Sequence, residues 1–280
     1  MRTIKLTLAY NGTAYAGYQL QSGRPERTIQ GELEKALFKV TGERIRPVAA
    51  GRTDAGVHAL GQVVSFSTRA SLPLQAWVPA LNAHLPADVV VRRAEEAAEG
   101  FHARFSAVGK VYRYLIQNGR TPAVLWRPFA WWIPVPLEVE AMKEAGRYLE
   151  GEHDFSSFRA SGFSTKTSVR RLVSLRWRVV PAGEGDLFLP GPAGTAPSAG
   201  ESEGEGELGR LIAVELTADG FLYQMARIIV GTLVEVGRGR LRPQEVAEIL
   251  AAKDRRRAGP TAPACGLCLV KVFYEPERPC

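Results

Sequence analysis

The chain has 280 residues, of which 45% are hydrophobic and 23% are charged, and its formal net charge is +7. This length and apolar content suit one large domain or two modest domains with a proper core. The sequence has no run of about 18 apolar residues, which excludes a membrane-spanning helix. Its three cysteines are too few for a disulfide framework, so we expect a protein of the reducing cytoplasm.

The positive charge is unevenly distributed along the chain. Residues 181–209 contain six acidic residues before the next arginine and are rich in glycine, proline and serine. We expect this acidic insertion to be a flexible loop, because such a composition buries little apolar surface. The basic surplus elsewhere predicts a polyanionic partner, with nucleic acid first and a membrane surface second. Simple solubility is the alternative explanation of the charge.

Apolar spacing predicts the elements of the first part of the chain. The opening residues alternate polar and apolar side chains, as a strand does and a signal peptide does not. Thr28 stands where a helix N-cap is expected, before apolar residues at helical spacing. The elements predicted here are a strand at 3–9, a helix at 28–41, a strand at 62–67, a short helix at 73–85 and a strand at 110–117.

The remaining elements mix helices and strands in the same way. They are a helix at 136–150 that ends at Gly151, strands at 172–180 and 210–217, helices at 221–236 and 243–253, and a strand at 267–274. Alternating strand patterns with hairpin-like spacing favour an α+β fold with a mostly antiparallel sheet. The order strand, helix, strand, helix occurs in both halves, 1–107 and 108–280, and hints at a duplication.

One short segment concentrates residues that could carry chemistry. Gly51 to His58 reads Gly-Arg-Thr-Asp-Ala-Gly-Val-His and precedes an alternating strand pattern, which predicts a loop leading into a strand. Arg52 lies two residues from Asp54, and a neighbouring cation favours the ionised carboxylate. Such a carboxylate can act as nucleophile or general base. A structural ion pair in a glycine-rich turn is the alternative.

The same segment resembles the active-site signature of the TruA family of tRNA pseudouridine synthases. Further blocks of the chain resemble that family in the same order. They are Tyr10–Thr13 with Gly17–Gln19, Thr28–Glu34, Phe101–Ser106 with Lys110–Tyr114, Asp154–Arg159, Phe221–Arg227 with Gly231, and Ala262–Leu267. The chain departs from the family pattern at Asn11 and Tyr18, where Asp and Trp are common.

The resemblance implies both a fold and an activity. The fold would be two similar α/β halves joined into a mostly antiparallel sheet flanked by helices, with the active-site cleft between the halves. The activity would be isomerisation of uridine to pseudouridine at positions 38, 39 and 40 of the tRNA anticodon stem-loop. It would need no metal or cofactor, and the enzyme would be a cytoplasmic homodimer with tRNA as its partner.

The resemblance also implies roles for individual residues. Asp54 would be the catalytic carboxylate, attacking C1′ or removing a proton from C2′ of the ribose. Arg52 would hold the RNA and help to keep the nucleotide flipped out, and Arg227 would pair with Asp54. The ring of Tyr112 would stack on the uracil and its hydroxyl would take part in proton movement. Leu267 would pack against the base.

Other residues are weaker candidates for contact with RNA. His58 is expected to support the loop or to contact RNA. The remaining candidates are aromatic or basic, as nucleic-acid contacts usually are. They are Phe101 through Phe105 with Arg104, and then Lys110, Arg113, Arg159, Lys166, Arg170 and Arg171.

Two other functions stay open at this point. One is a noncatalytic RNA-binding module that keeps the scaffold, although Asp54, Tyr112 and Arg227 are all present. The other is a different base-modifying enzyme such as a methyltransferase, which the absence of a glycine-rich cofactor loop disfavours. Cys265 and Cys268 form a C-x-x-C pair, but without a second pair of ligands half-buried thiols are expected rather than a zinc site.

Overall fold

The computed structural model describes residues 1–20, 26–162, 167–182 and 208–275. Lys166 and residues 183–207 of the acidic insertion lie outside the described residues. The strands are β1 (Arg2–Tyr10), β2 (Val48–Ala49), β3 (His58–Thr68), β4 (Val89–Ala97), β5 (Ala107–Asn118), β6 (Trp131–Ile133), β7 (Gly151–Asp154), β8 (Val169–Pro181), β9 (Arg210–Ala218) and β10 (Leu267–Tyr274). The α-helices are α1 (Ile29–Thr41), α2 (Trp77–Asn82), α3 (Val139–Arg147), α4 (Met225–Gly237) and α5 (Glu245–Ala252).

Within the described part of the chain, all ten strands belong to one sheet. Its order is β4-β1-β3-β10-β5-β9-β8-β7, with β2 beside β3 and β6 beside β5. The pairs are antiparallel except β10 with β3 and β5 with β6. This architecture confirms the α+β fold with a mostly antiparallel sheet. No helix among the described residues is long and apolar enough to cross a membrane.

The two halves of the chain arrange their strands alike. In each half the first strand lies between that half's last strand and its middle strands: β1 between β4 and β3, and β5 between β10 and β9. The halves meet where β10 runs parallel to β3. Because β10 ends the chain and β3 follows the Asp54 segment, this seam brings distant parts of the sequence together.

Side-chain alternation along β5 separates two faces of the sheet. Tyr112, Tyr114 and Ile116 point into the main core, on the face covered by helices. Leu115 points to the opposite face and joins a smaller apolar cluster with Ala130, Leu211 and Ala213. We call these the helix face and the open face.

Local signals predict the start of α1 correctly and the start of α4 wrongly. The Thr28 hydroxyl accepts a hydrogen bond from the backbone N–H of Gly31, which confirms it as the N-cap of α1. The helix predicted from residue 221 begins instead at Met225, because Gln224 adopts a left-handed conformation with φ 57°. Strand β4 was not predicted, and it forms an edge of the sheet.

Candidate active site

The segment that carries Asp54 is a loop, residues 50–57, between β2 and β3, here named the Asp54 loop. Its backbone lies directly against the segment around Gly17. A Cβ at Gly17, whose φ is +101°, would approach the carbonyl oxygen of Thr53 to 2.7 Å. Glycine is therefore required at position 17 by conformation and by space.

Hydrogen bonds from neighbouring residues hold the same loop. The hydroxyls of Tyr10 and Thr53 are hydrogen-bonded at 2.8 Å. The backbone N–H of Tyr18 donates to the carbonyl of Thr53 at 3.0 Å. Gln62 Nε2 donates to the carbonyl of Gly51 at 2.8 Å. The Asp54 loop is thus held at Gly51 and Thr53, just before the carboxylate, which reduces the freedom of Asp54 before any substrate binds.

Asp54 forms an ion pair with Arg227 across the seam between the halves. Arg227 Nη1 lies 2.9 Å from Asp54 Oδ2, with the side chains 14% and 22% exposed. The guanidinium is itself oriented by a 2.8 Å hydrogen bond from Nε to the carbonyl of Ala262. Arg227 lies in the first turn of α4, where the helix dipole favours a nearby carboxylate. The pair keeps one oxygen of Asp54 occupied and aims the group.

Tyr112 lies close to this ion pair on the helix face of β5. Its ring is 8% exposed and meets Phe221 edge-on, with 4.9 Å between ring centroids. Burial, together with the neighbouring Tyr10 and Asp54, raises the pKa of Tyr112 well above its ordinary value. The phenol is therefore a neutral hydrogen-bond donor at physiological pH.

Leu267 begins β10 and lies on the same face as the tyrosines. It is 6% exposed and stands opposite Tyr114 in the antiparallel register. The next same-face residue, Leu269, stands opposite Tyr112. Leu267 and Leu269 thus form an apolar surface beside the tyrosines, and an apolar surface suits contact with a planar base.

The basic candidates divide between the two faces. Lys110 precedes Tyr112 by two residues on the helix face, and its ammonium donates to the carbonyl of Ala50 at 2.9 Å. Burial, with Arg104 and Arg170 nearby, lowers the pKa of Lys110 to about 8. Arg113 points to the open face, where Nη2 lies 2.6 Å from Glu215 Oε1.

The other candidate residues lie around these groups. Arg52 is exposed beside Asp54, and Arg104 is exposed before β5. Arg159 follows a short 3-10 turn, and the backbone N–H of Arg171 donates to Asp219. Phe101 packs against Tyr274 with 5.0 Å between ring centroids, so its ring is partly used in the core.

His58 has contacts that fit loop support, one of its two expected roles. It is 5% exposed; Gly12 N–H donates to its Nδ1 at 3.1 Å and its Nε2 lies 2.9 Å from the carbonyl of Pro128. With Nδ1 accepting, Nε2 carries the proton and donates to Pro128. Burial lowers the pKa of His58, which favours this neutral form.

A cavity of about 520 Å³ lies apart from the Asp54–Arg227 pair, on the open face. Its walls are mostly apolar and include His58, Leu115, Leu125, Phe129 and Cys268. Asp54, Tyr112 and Arg227 do not line it. The cavity is therefore separate from the candidate site, whose polar groups converge on the helix face.

Sequence reasoning missed several residues that shape the site. Phe221 packs on Tyr112, and Tyr10 and Gln62 hold the Asp54 loop. Phe221 and Tyr10 stand within blocks that resemble the family, so their place in those blocks was an available signal. Gln62 had no such signal, because its complete burial, which requires its amide to be hydrogen-bonded, is seen only in the structure.

Comparison with known proteins gives a consistent result. A family model described as tRNA pseudouridine synthase matches residues 7–106 and 145–275. A protein of Moorella thermoacetica named tRNA pseudouridine synthase A is 47% identical over 98% of this chain and 100% of its own length. Proteins of the same name from Pelobacter propionicus and Geobacillus kaustophilus are each 44% identical over 98% of this chain, covering 100% and 95% of their own lengths. This chain belongs to the tRNA pseudouridine synthase family.

Proposed function

We propose that this isomerase converts uridine to pseudouridine at positions 38, 39 and 40 of the tRNA anticodon stem-loop, as a cytoplasmic homodimer that needs no cofactor. Asp54 is the catalytic carboxylate in this proposal. The observation that carries it is the 2.9 Å ion pair of Asp54 with Arg227 beside Tyr112. A carboxylate aimed by a guanidinium and flanked by a neutral phenol is suited to attack or deprotonate a ribose.

The reaction is balanced without an oxidant or reductant. The bond between N1 of uracil and C1′ of ribose breaks, the base rotates, and a bond from C5 to C1′ forms. C5 loses its proton and N1 gains one, so product and substrate are isomers. A single carboxylate suffices, whether it attacks C1′ or removes the proton of C2′.

The neighbouring residues support separate parts of this reaction. Arg227 orients Asp54, and Tyr112 stacks on the base while its hydroxyl takes part in proton movement. Leu267, beside the tyrosines on the same face of the sheet, packs against the base. Arg52, exposed beside Asp54, binds the RNA backbone and helps to hold the nucleotide out of its stack.

The proposed target requires recognition of RNA shape. Three adjacent uridines have different neighbours, so one enzyme that modifies all of them must read the shape of the stem-loop more than its base sequence. A chain with a net charge of +7 has the electrostatic attraction that such shape recognition needs.

The test is a map of pseudouridine in an unmodified tRNA transcript with uridines at 38, 39 and 40. Purified protein is incubated with it in EDTA without cofactor, and pseudouridine is located by carbodiimide labelling and primer extension. Transcripts with cytidine at one of the three positions serve as matched controls. Signal at the remaining uridines supports the proposal; tight binding without signal favours another target or a noncatalytic module.

The homodimer in this proposal has a candidate surface on the open face. Several large apolar side chains around the cavity are exposed there, including Val124 at 75% and Leu125 at 66%. A second copy of the chain is the occupant that we propose, because exposed apolar area of this kind favours association. Leu125→Asp should shift the mass in sedimentation velocity from two chains to one. A dimer that persists unchanged in this variant would place the interface elsewhere.

A further inference from the structure

Lys110 connects the Tyr112 side of β5 to the Asp54 loop. It lies on β5 two residues before Tyr112, so both side chains are on the helix face. Its ammonium donates a 2.9 Å hydrogen bond to the carbonyl of Ala50, at the start of the loop. A change in the position of this ammonium is therefore transmitted to the backbone that carries Asp54.

Gly51 leaves open the space that the Lys110 ammonium occupies. A Cβ at position 51 would lie 2.8 Å from Lys110 Nζ, which is too close for an ordinary contact. The carbonyl of Gly51 is itself held by Gln62 at 2.8 Å. The carbonyl of Ala50 thus accepts a hydrogen bond from a cation, and the next carbonyl, that of Gly51, accepts one from a neutral amide.

Two arginines lie on the same side as Lys110. In the sheet register Lys110 stands beside Ala218, which stands beside Leu172, so the three share one row and one face. Arg170 is two residues from Leu172 and therefore on that face too. Its Nε lies 3.4 Å from the Cβ position of Gly220, next to the Phe221 ring that contacts Tyr112.

The second arginine, Arg104, lies in the exposed segment that precedes β5. Its guanidinium is 5.7 Å from the ring of the exposed Phe105. Arg104 and Arg170 are both close enough to lower the pKa of Lys110 by repulsion. Within the described ranges, none of the three cations forms an ion pair with a carboxylate.

Two arginines without a carboxylate partner among the described residues lie around the half-buried Lys110 ammonium, and the three cations together suit an anion. An ammonium has three donors, and the carbonyl of Ala50 uses one of them. Burying a cation beside other cations costs free energy unless an anion joins them. A phosphate oxygen would accept from the remaining donors and remove the repulsion from the arginines.

We propose that Lys110, Arg104 and Arg170 bind a phosphodiester of the RNA substrate next to the target nucleotide, and that Lys110 couples this phosphate to the Asp54 loop through the carbonyl of Ala50. This inference rests on the proposed RNA-modifying function. Arg104 and Arg170 supply affinity, whereas Lys110 is also a positioning residue for Asp54. A bound phosphate would keep the Lys110 ammonium on the carbonyl of Ala50 and so stabilise the loop conformation that the structure already shows.

The first test separates binding from turnover in Arg104→Gln and Lys110→Met. The affinity for an unmodified tRNA transcript is measured from 50 to 300 mM salt, and the single-turnover rate is measured at saturating tRNA. One lost phosphate contact lowers the salt slope by about 1 and, at 0.1 M salt, the affinity by about five- to eightfold. We expect this loss in both variants, and in addition a saturating rate about tenfold lower in Lys110→Met alone.

Two matched variants complete the test. Lys35→Met removes an exposed lysine of α1 and should leave the salt slope and the rate unchanged. Gly51→Ala keeps every charge but displaces the Lys110 ammonium, so it should lower the saturating rate while the salt slope stays that of the wild type. Arg104→Gln, on an exposed loop, keeps the phosphate part testable if Lys110→Met does not fold.

The results overturn the inference in distinct ways. A wild-type salt slope in both Arg104→Gln and Lys110→Met contradicts the phosphate site. A weakened affinity with an unchanged saturating rate in Lys110→Met contradicts the coupling to the loop. A wild-type protein that makes no pseudouridine contradicts the proposed function instead, and the salt slopes still test the phosphate site in that case.

Discussion

Replacing Arg227 with methionine tests how much the ion pair with Asp54 contributes to the reaction. Methionine keeps the apolar stem and removes the guanidinium, which donates to Asp54 at 2.9 Å and to the carbonyl of Ala262 at 2.8 Å. A hydrogen bond to a charged group contributes about 1.5–3 kcal/mol. Since about 1.4 kcal/mol is tenfold in rate, the single-turnover rate should fall roughly 10- to 150-fold.

The assay is single-turnover formation of pseudouridine at saturating tRNA, with thermal unfolding recorded in parallel. Arg238→Met is the matched control, because Arg238 follows the same helix α4 and forms a 2.9 Å ion pair with Glu235. Both variants should lose some stability, of the order of 1 kcal/mol for each lost hydrogen bond. Only Arg227→Met should lose rate.

Either of two results would refute the role of the Asp54–Arg227 ion pair. If Arg227→Met stays within twofold of the wild-type rate while folded, the orientation of Asp54 does not depend on the guanidinium. If Arg238→Met slows the reaction as much as Arg227→Met does, the loss reflects general destabilisation of α4 and not the ion pair.

Two further predictions concern Tyr112 and His58. Tyr112→Phe should keep tRNA affinity and lower the single-turnover rate by about 100-fold, because acid–base groups contribute about that much; Tyr114→Phe, which loses a hydrogen bond to Pro263, should lower stability and not rate. An unchanged rate in Tyr112→Phe would contradict the hydroxyl role. Burial lowers the pKa of His58 below its ordinary value of 6.5. As pH falls below about 6.5, the unfolded chain therefore binds a proton at His58 before the folded chain does, and the folded state loses stability. When the free energy of unfolding is measured in urea between pH 7 and 5, it should fall less in His58→Gln than in the wild type. An equal fall in both proteins would show that His58 does not cause the loss.

Local signals were enough to predict most of the elements. The α1 helix follows from Thr28 and the spacing of its buried residues, and β1, β5 and β10 follow from alternation. Strand β4 was missed because its charged second part, after Val89 to Val91, does not alternate in the usual way. Its pairing with β1 supplies the context that its own sequence lacks.

The candidate site depends on contacts that local reasoning does not reach. Arg52 is the cation nearest to Asp54 in sequence, yet the ion pair that the structure shows is with Arg227, 173 residues away. Only the resemblance to a family pointed to that residue. Likewise the placement of His58 on the open face follows from its register with Cys268, which no property of the loop itself reveals.

The most direct test compares Asp54→Asn with the wild type and with Asp88→Asn, which alters a carboxylate that pairs with Arg27 and not with Arg227. All three are mixed with an unmodified tRNA transcript, and pseudouridine and tRNA affinity are measured on the same preparations. The account predicts that Asp54→Asn binds tRNA within a few-fold of the wild type and forms no pseudouridine, whereas Asp88→Asn remains active. Appreciable pseudouridine formed by clean Asp54→Asn protein would contradict the assignment of Asp54 as the catalytic carboxylate.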